Sequence, residues 1–135
     1  MKIYFAGSIR GGRKQVAVYN EIIEYLSGLA KILTEHIADP KLTALGEVKL
    51  PESVIFKRDR GWVDACDLVV AEVTQPSLGV GYELAYAESK KIPVVCLYHE
   101  TEGARLSAMI RGNKYFKVID YSDWEDLKTK LQDVL

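Results

Sequence analysis

Short apolar runs recur along this chain, KIYFA (2–6), LVVAEV (68–73), IPVVCLY (92–98) and YFKVIDY (115–121), and stretches of helical spacing lie between and after them. A run that is apolar at nearly every position, but only about 4–8 residues long, reads as a strand buried on both faces. AKILTE (30–35) reads as a further strand. The first intervening stretch, GRKQVAVYNEIIEYLSGL, places Val16, Tyr19, Ile22, Ile23 and Leu26 on one helical face and stops at Gly28. ESVIFKRDRGWVDACD (52–67), YELAYAESKK and SDWEDLKTKLQDVL read as further helices, the last with Ser122 as N-cap and Glu125 closing a capping box. ARLSAMIRG (104–112) is a short helix or turn. The alternation predicts an α/β fold: an open sheet of five mainly parallel strands with helices on both faces. Such sheets bind ligands beyond the carboxyl ends of their strands, where strand order reverses.

A chain of 135 residues fits one domain spanning 1–135, and 48% apolar with 27% charged residues suits a packed globule. The net charge of -1 gives no electrostatic footprint for nucleic acid. Cys66 and Cys96 sit in apolar contexts without a CxxC spacing, which fits small core residues in a reducing compartment. The N-terminal apolar run breaks at Gly7, too early for a signal peptide or a membrane helix. A cytoplasmic protein is expected, or a nuclear one in a eukaryote. HIADPKLTALGEVKLP (36–51) is the longest loop and is expected to be mobile.

Two glycine-rich turns follow strands. GSIRGGR (7–13) carries Arg10 and Arg13 and is neither a P-loop nor GxGxxG; QPSLGVG (75–81) offers the Ser77 hydroxyl and the backbone of Gly79 and Gly81. Backbone N–H groups at helix starts attract anions, although ordinary turn chemistry uses the same residues. Glu83 borders the buried stripe of Val80, Leu84 and Ala87, where a helix N-terminus is expected to keep it ionised. It is a candidate nucleophile or base, or a Glu placed for helix stability. Asp59 falls on the stripe of Ile55, Trp62 and Cys66, with Arg58 and Arg60 expected to point elsewhere. An inward acid needs an ion pair, a hydrogen bond or a ligand. Tyr4 lies near the ligand end of strand one, where a buried phenol wants a hydrogen-bond partner, or it is an ordinary core tyrosine. His36 and His99 have no metal-ligand spacing, GxSxG is absent, and no metal is expected.

The blocks YFAGSIRGGR, LTEH, DLVVAEVTQPSLGVGYELA and LSAMIRG resemble, in order and spacing, the 2'-deoxynucleoside 5'-monophosphate N-glycosidases of the nucleoside 2-deoxyribosyltransferase family. The resemblance runs from strand one to about residue 112. It implies a flavodoxin-like, Rossmann-like sheet, a homodimer, and hydrolysis of deoxynucleotides to free base and 2-deoxyribose 5-phosphate without metal or organic cofactor. It assigns the nucleophile to Glu83, proton transfer to Asp59 and orientation of Glu83 to Tyr4. It places the substrate phosphate on Ser8, Ile9, Arg10, Gly11, Ser77 and Gly79, with Ser107 from the neighbouring subunit, and sugar and base contacts on Gly7, His36 and Met109. One departure is FKRDRGW around Asp59, which is more basic than the family's acidic version. Three alternatives stay open: base transfer by a nucleoside 2-deoxyribosyltransferase, a CMP-type ribonucleotide hydrolase, and a non-catalytic nucleotide-binding module.

Overall fold

The computed structural model describes residues 1–10, 12 and 15–135. Five strands, β1 (Lys2–Ala6), β2 (Lys31–Ile32), β3 (Leu68–Glu72), β4 (Val94–His99) and β5 (Lys117–Tyr121), form one sheet in the order β2-β1-β3-β4-β5. Every pairing is parallel. Among the described residues five α-helices, α1 (Val16–Ser27), α2 (Glu52–Ala65), α3 (Leu78–Ser89), α4 (Ala108–Arg111) and α5 (Trp124–Val134), and a short 3-10 helix, Glu35–Ala38, accompany them. The α/β expectation therefore holds.

Strand alternation sorts the core into two layers. Ile3 and Phe5 of β1 pack with Tyr19, Ile22 and Leu26 of α1 and with Leu127 and Leu131 of α5. Tyr4 and Ala6 point to the opposite face and join Val63 of α2 and Val80, Leu84 and Ala87 of α3. Cys66 and Cys96 are buried in that second layer as free thiols. No helix of the described residues is long and apolar enough to cross a membrane.

Several boundaries differ from expectation. β2 has two residues because the backbone departs after Leu33, and the Thr34 hydroxyl replaces the ladder. That hydroxyl accepts from Phe5 N at 2.9 Å and donates to Phe5 O at 2.5 Å. The helix bearing Glu83 starts at Leu78, so Gly79 and Gly81 lie inside it; Ser77 caps it by accepting from Val80 N at 3.3 Å. The C-terminal helix is capped one residue later than expected. Asp123 accepts from Asp126 N at 2.8 Å, while the Asp126 carboxylate accepts from Ser122 N at 2.9 Å. Two carboxylates thus do the work assigned to Ser122 and Glu125.

The chain runs from β1 to β2 on one side and then crosses to β3 on the other, so the strand order reverses between β1 and β3 while the strands stay parallel. The loops after these two strands flank the crevice where such sheets take ligands.

Candidate active site

A cavity of about 560 Å³ opens at this crevice. Gly7, Ile9 and Arg10 after β1, Asp59 on α2, and Ser77, Gly79 and Glu83 at the start of α3 line it. Its volume falls in the range for small-molecule pockets. Gly7 is required by close packing, since a Cβ there would lie 2.9 Å from the Tyr19 ring. Gly79 and Gly81 are not held by strain; a Cβ at Gly79 would meet only the Ser77 Oγ, at 3.9 Å. The lack of a side chain at Gly79 leaves the first turn of α3 open on the cavity side, while Gly81 lines the neighbouring groove.

The turn after β3 is fixed from beneath. Glu72 is fully buried; its carboxylate accepts from Thr74 N at 2.6 Å and from the Tyr121 hydroxyl at 2.6 Å. Burial pushes this carboxyl above the usual range, and those donors oppose the rise. The two glycine-rich turns also meet, with Gly12 (φ +131) against the Gln75 side chain. An L side chain would be strained at that φ.

Glu83 projects from the second turn of α3 toward β1, where Tyr4 hydrogen-bonds its side chain. Burial pushes the Glu83 carboxyl up to about 8; the Tyr4 bond pulls down and the nearby Asp59 charge adds to the rise. This corrects the expectation that a helix end keeps it ionised. Six residues into the helix, the macrodipole has faded while desolvation acts in full. The Tyr4 phenol is itself held strongly in its protonated form by burial and by Glu83 and Asp59. It donates to the carboxylate.

Asp59 also rises above the usual carboxylate range, chiefly by burial, with Arg58 opposing. Arg58 does not point away, as the spacing suggested. Its long side chain folds back, with Nε at 2.9 Å and Nη2 at 2.8 Å from Asp59 Oδ1. The same guanidinium donates from Nη1 and Nη2 to Glu47 Oε2 and Oε1, both at 2.7 Å, and lies 4.7 Å over the Trp62 ring. His36 Nε2 is 2.8 Å from Glu47 Oε1. Glu47 thus ties the segment expected to be mobile onto α2.

The structure therefore brings Tyr4, Asp59 and Glu83 together, with Gly7, Ile9, Arg10, Ser77 and Gly79 around them. Arg10 carries a bond from Nη1 to Glu52 Oε1 at 2.7 Å, an exposed pair that a bound anion can replace. Ser8 is buried behind the wall, its N–H donating to the Tyr19 hydroxyl at 2.9 Å. His36 pairs with Glu47 and does not line the cavity. Ser107 and Met109 line a neighbouring groove that shares Ser77, Leu78 and Val80 with the first, and Met109 is 81% exposed. Gly11 and Arg13 lie outside the described residues.

Sequence reasoning missed Glu47, Arg58 and an aromatic rim. Phe56 and Tyr82 meet with ring centroids 6.0 Å apart, Tyr82 and Tyr86 stack at 6.4 Å, and Arg60 lies 4.3 Å over Tyr86. The i,i+4 spacing of Phe56 with Arg60 and of Tyr82 with Tyr86 was the available signal for the rim. Glu47 sits in a segment with no periodicity.

A family model described as nucleoside 2-deoxyribosyltransferase matches residues 3–120. A Mus musculus protein named 5-hydroxymethyl-dUMP N-hydrolase is 47% identical over 133 residues, covering 96% of this chain and 76% of that protein. A Danio rerio protein of the same name is 46% identical, covering 93% and 90%. The solved structure of a Clostridium botulinum CMP N-glycosidase covers both chains fully, with TM-score 0.71 and 17% identity, which is a likeness of fold.

Proposed function

Because the chain belongs to the nucleoside 2-deoxyribosyltransferase family, we propose that it hydrolyses the N-glycosidic bond of 2'-deoxynucleoside 5'-monophosphates, yielding free base and 2-deoxyribose 5-phosphate. The observation that carries this reading is the carboxyl of Glu83, hydrogen-bonded by Tyr4 beside Asp59, in a cavity rimmed by the open first turn of α3. The names of the relatives support a deoxynucleotide substrate and place 5-hydroxymethyl-dUMP among those to try first.

The α3 N-terminus, the Ser77 hydroxyl and Arg10 hold the 5'-phosphate. In a homodimer, Ser107 of a second copy completes that site. The ionised form of Glu83 attacks C1' through an oxocarbenium-like transition state. The C1'–N bond breaks as a C1'–O bond to Glu83 forms, and the leaving base takes a proton from Asp59. Water then attacks C1' of the glycosyl ester, gives a proton back to Asp59, and frees Glu83. Because turnover needs Glu83 ionised and Asp59 protonated together, kcat/KM passes through a maximum with pH and falls above about 8, where Glu83 has lost its proton and Asp59 has none to give.

The test is base release from deoxynucleoside monophosphates, the matching ribonucleotides, and unphosphorylated deoxynucleosides with and without a second base. Release from the deoxynucleotides alone, lost in Glu83→Gln while nucleotide binding persists, is expected. Base exchange on the unphosphorylated nucleoside would make it a transferase. Preferred turnover of CMP would move the reading to ribonucleotides. A nucleotide-induced melting shift that survives Glu83→Ala, with no base released from any substrate, would make it a binding module.

A further inference from the structure

The cluster behind Asp59 has no part in the reading so far. Three nitrogens of Arg58 are engaged: Nε and Nη2 on Asp59 Oδ1, and Nη1 and Nη2 on Glu47. Arg58 does not line the cavity, whereas Asp59 does. Among the described residues the hydrogen bonds to Asp59 all fall on Oδ1. A guanidinium chelated by one carboxylate and stacked over Trp62 is fixed in place, unlike an exposed arginine.

We infer that Arg58 is a positioning residue: it clamps Asp59 Oδ1, leaves Oδ2 as the oxygen that exchanges protons in the cavity, and is itself set by Glu47 from the 36–51 segment. The inference rests on the proposed role of Asp59 in proton transfer. Five titratable or charged groups face that carboxyl: Arg58 on its own helix, Glu47 and His36 from the preceding segment, Tyr4 from β1 and Glu83 from α3. Arg58 is the cation that offsets the burial of Asp59. Without it Asp59 keeps its proton to higher pH, and the neutral Asp59 no longer repels charge on Glu83. The two carboxyls then titrate in opposite directions, Asp59 upward and Glu83 downward. General loosening of the site would instead return both toward ordinary carboxylate values.

The experiment follows the side-chain carboxyl signals of Asp59 and Glu83 by 13C NMR against pH, assigned with Asp59→Asn and Glu83→Gln. It compares the native chain with Arg58→Gln, Arg58→Lys and Glu47→Gln, each checked for a cooperative melt. Arg58→Gln should move Asp59 up and Glu83 down, with Arg58→Lys closest to native; in Glu47→Gln the loss of a charge that raises Asp59 opposes the loosened clamp, so Asp59 should lie below its position in Arg58→Gln. These shifts favour the protonation state the reaction needs, so a loss of rate reports position alone: kcat at pH 7 should fall about tenfold or more in Arg58→Gln, because Oδ2 is no longer aimed at the reacting atoms, while KM changes by less than about threefold. Unmoved titrations, both carboxyls moving down, or a KM that rises as kcat is kept would overturn the inference. Should the native chain release no base from any nucleotide, the hydrolase reading falls; the titrations then decide the clamp by themselves. If Arg58→Gln does not fold, Arg58→Lys carries the same comparison.

Discussion

Glu83→Gln tests the burial of the carboxyl independently of any reaction. In the folded chain Glu83 holds its proton up to about 8, against an ordinary value of 4.5. Between those pH values the folded state binds more protons than the unfolded state, so stability is lost as pH rises through the window. At about 1.4 kcal/mol per pH unit, the whole window is worth about 5 kcal/mol. That is a ceiling, because the cavity is open and water screens the charge; about 2 kcal/mol is the expected effect. In a domain of this size that is about 5–10 °C in Tm. Gln keeps the shape and an acceptor for Tyr4 but does not titrate. Melting both chains from pH 5 to pH 8.5 should show the native Tm falling relative to Glu83→Gln by this amount, with other groups cancelling in the difference. Parallel curves would refute the burial argument and, with it, the pH limb expected near 8.

Tyr4→Phe removes a hydrogen bond that favours ionised Glu83. The kcat/KM limb should move to higher pH, and turnover at pH 7 should drop about tenfold or more, read by base release. Ser77→Ala removes the α3 cap and should cost about 1 kcal/mol in denaturant unfolding. It should also raise KM for a nucleotide while leaving weak nucleoside binding unchanged; equal effects on both would take the phosphate away from this turn. Glu72→Ala strands the Thr74 N–H and the Tyr121 hydroxyl, and a urea titration should show a loss of about 2–4 kcal/mol.

β1 was legible to the residue, because a both-face-buried strand leaves an unbroken apolar run closed by Gly7. The start of α3 was not. Gly79 and Gly81 resemble turn residues, yet Ser77 after Pro76 supplies a cap that lets the helix begin before them. Periodicity put Asp59 and Glu83 on inward faces, and the structure joins them through Tyr4. It could not reveal Arg58, because the 100° rule describes where Cβ atoms point. A four-bond side chain reaches back to its neighbour regardless. Glu47 carried no signal at all; its place depends on how a segment without periodicity lies against α2.

The central claim is that Glu83 forms a bond to the sugar. Rapid acid quench of the native chain during turnover of a deoxynucleoside monophosphate, followed by peptide mass analysis, tests it directly. A phosphodeoxyribosyl adduct on the peptide carrying Glu83, absent in Glu83→Gln, is the predicted result. Rapid base release with no adduct on that peptide, and with inverted configuration at C1' in the first-formed product, would contradict it.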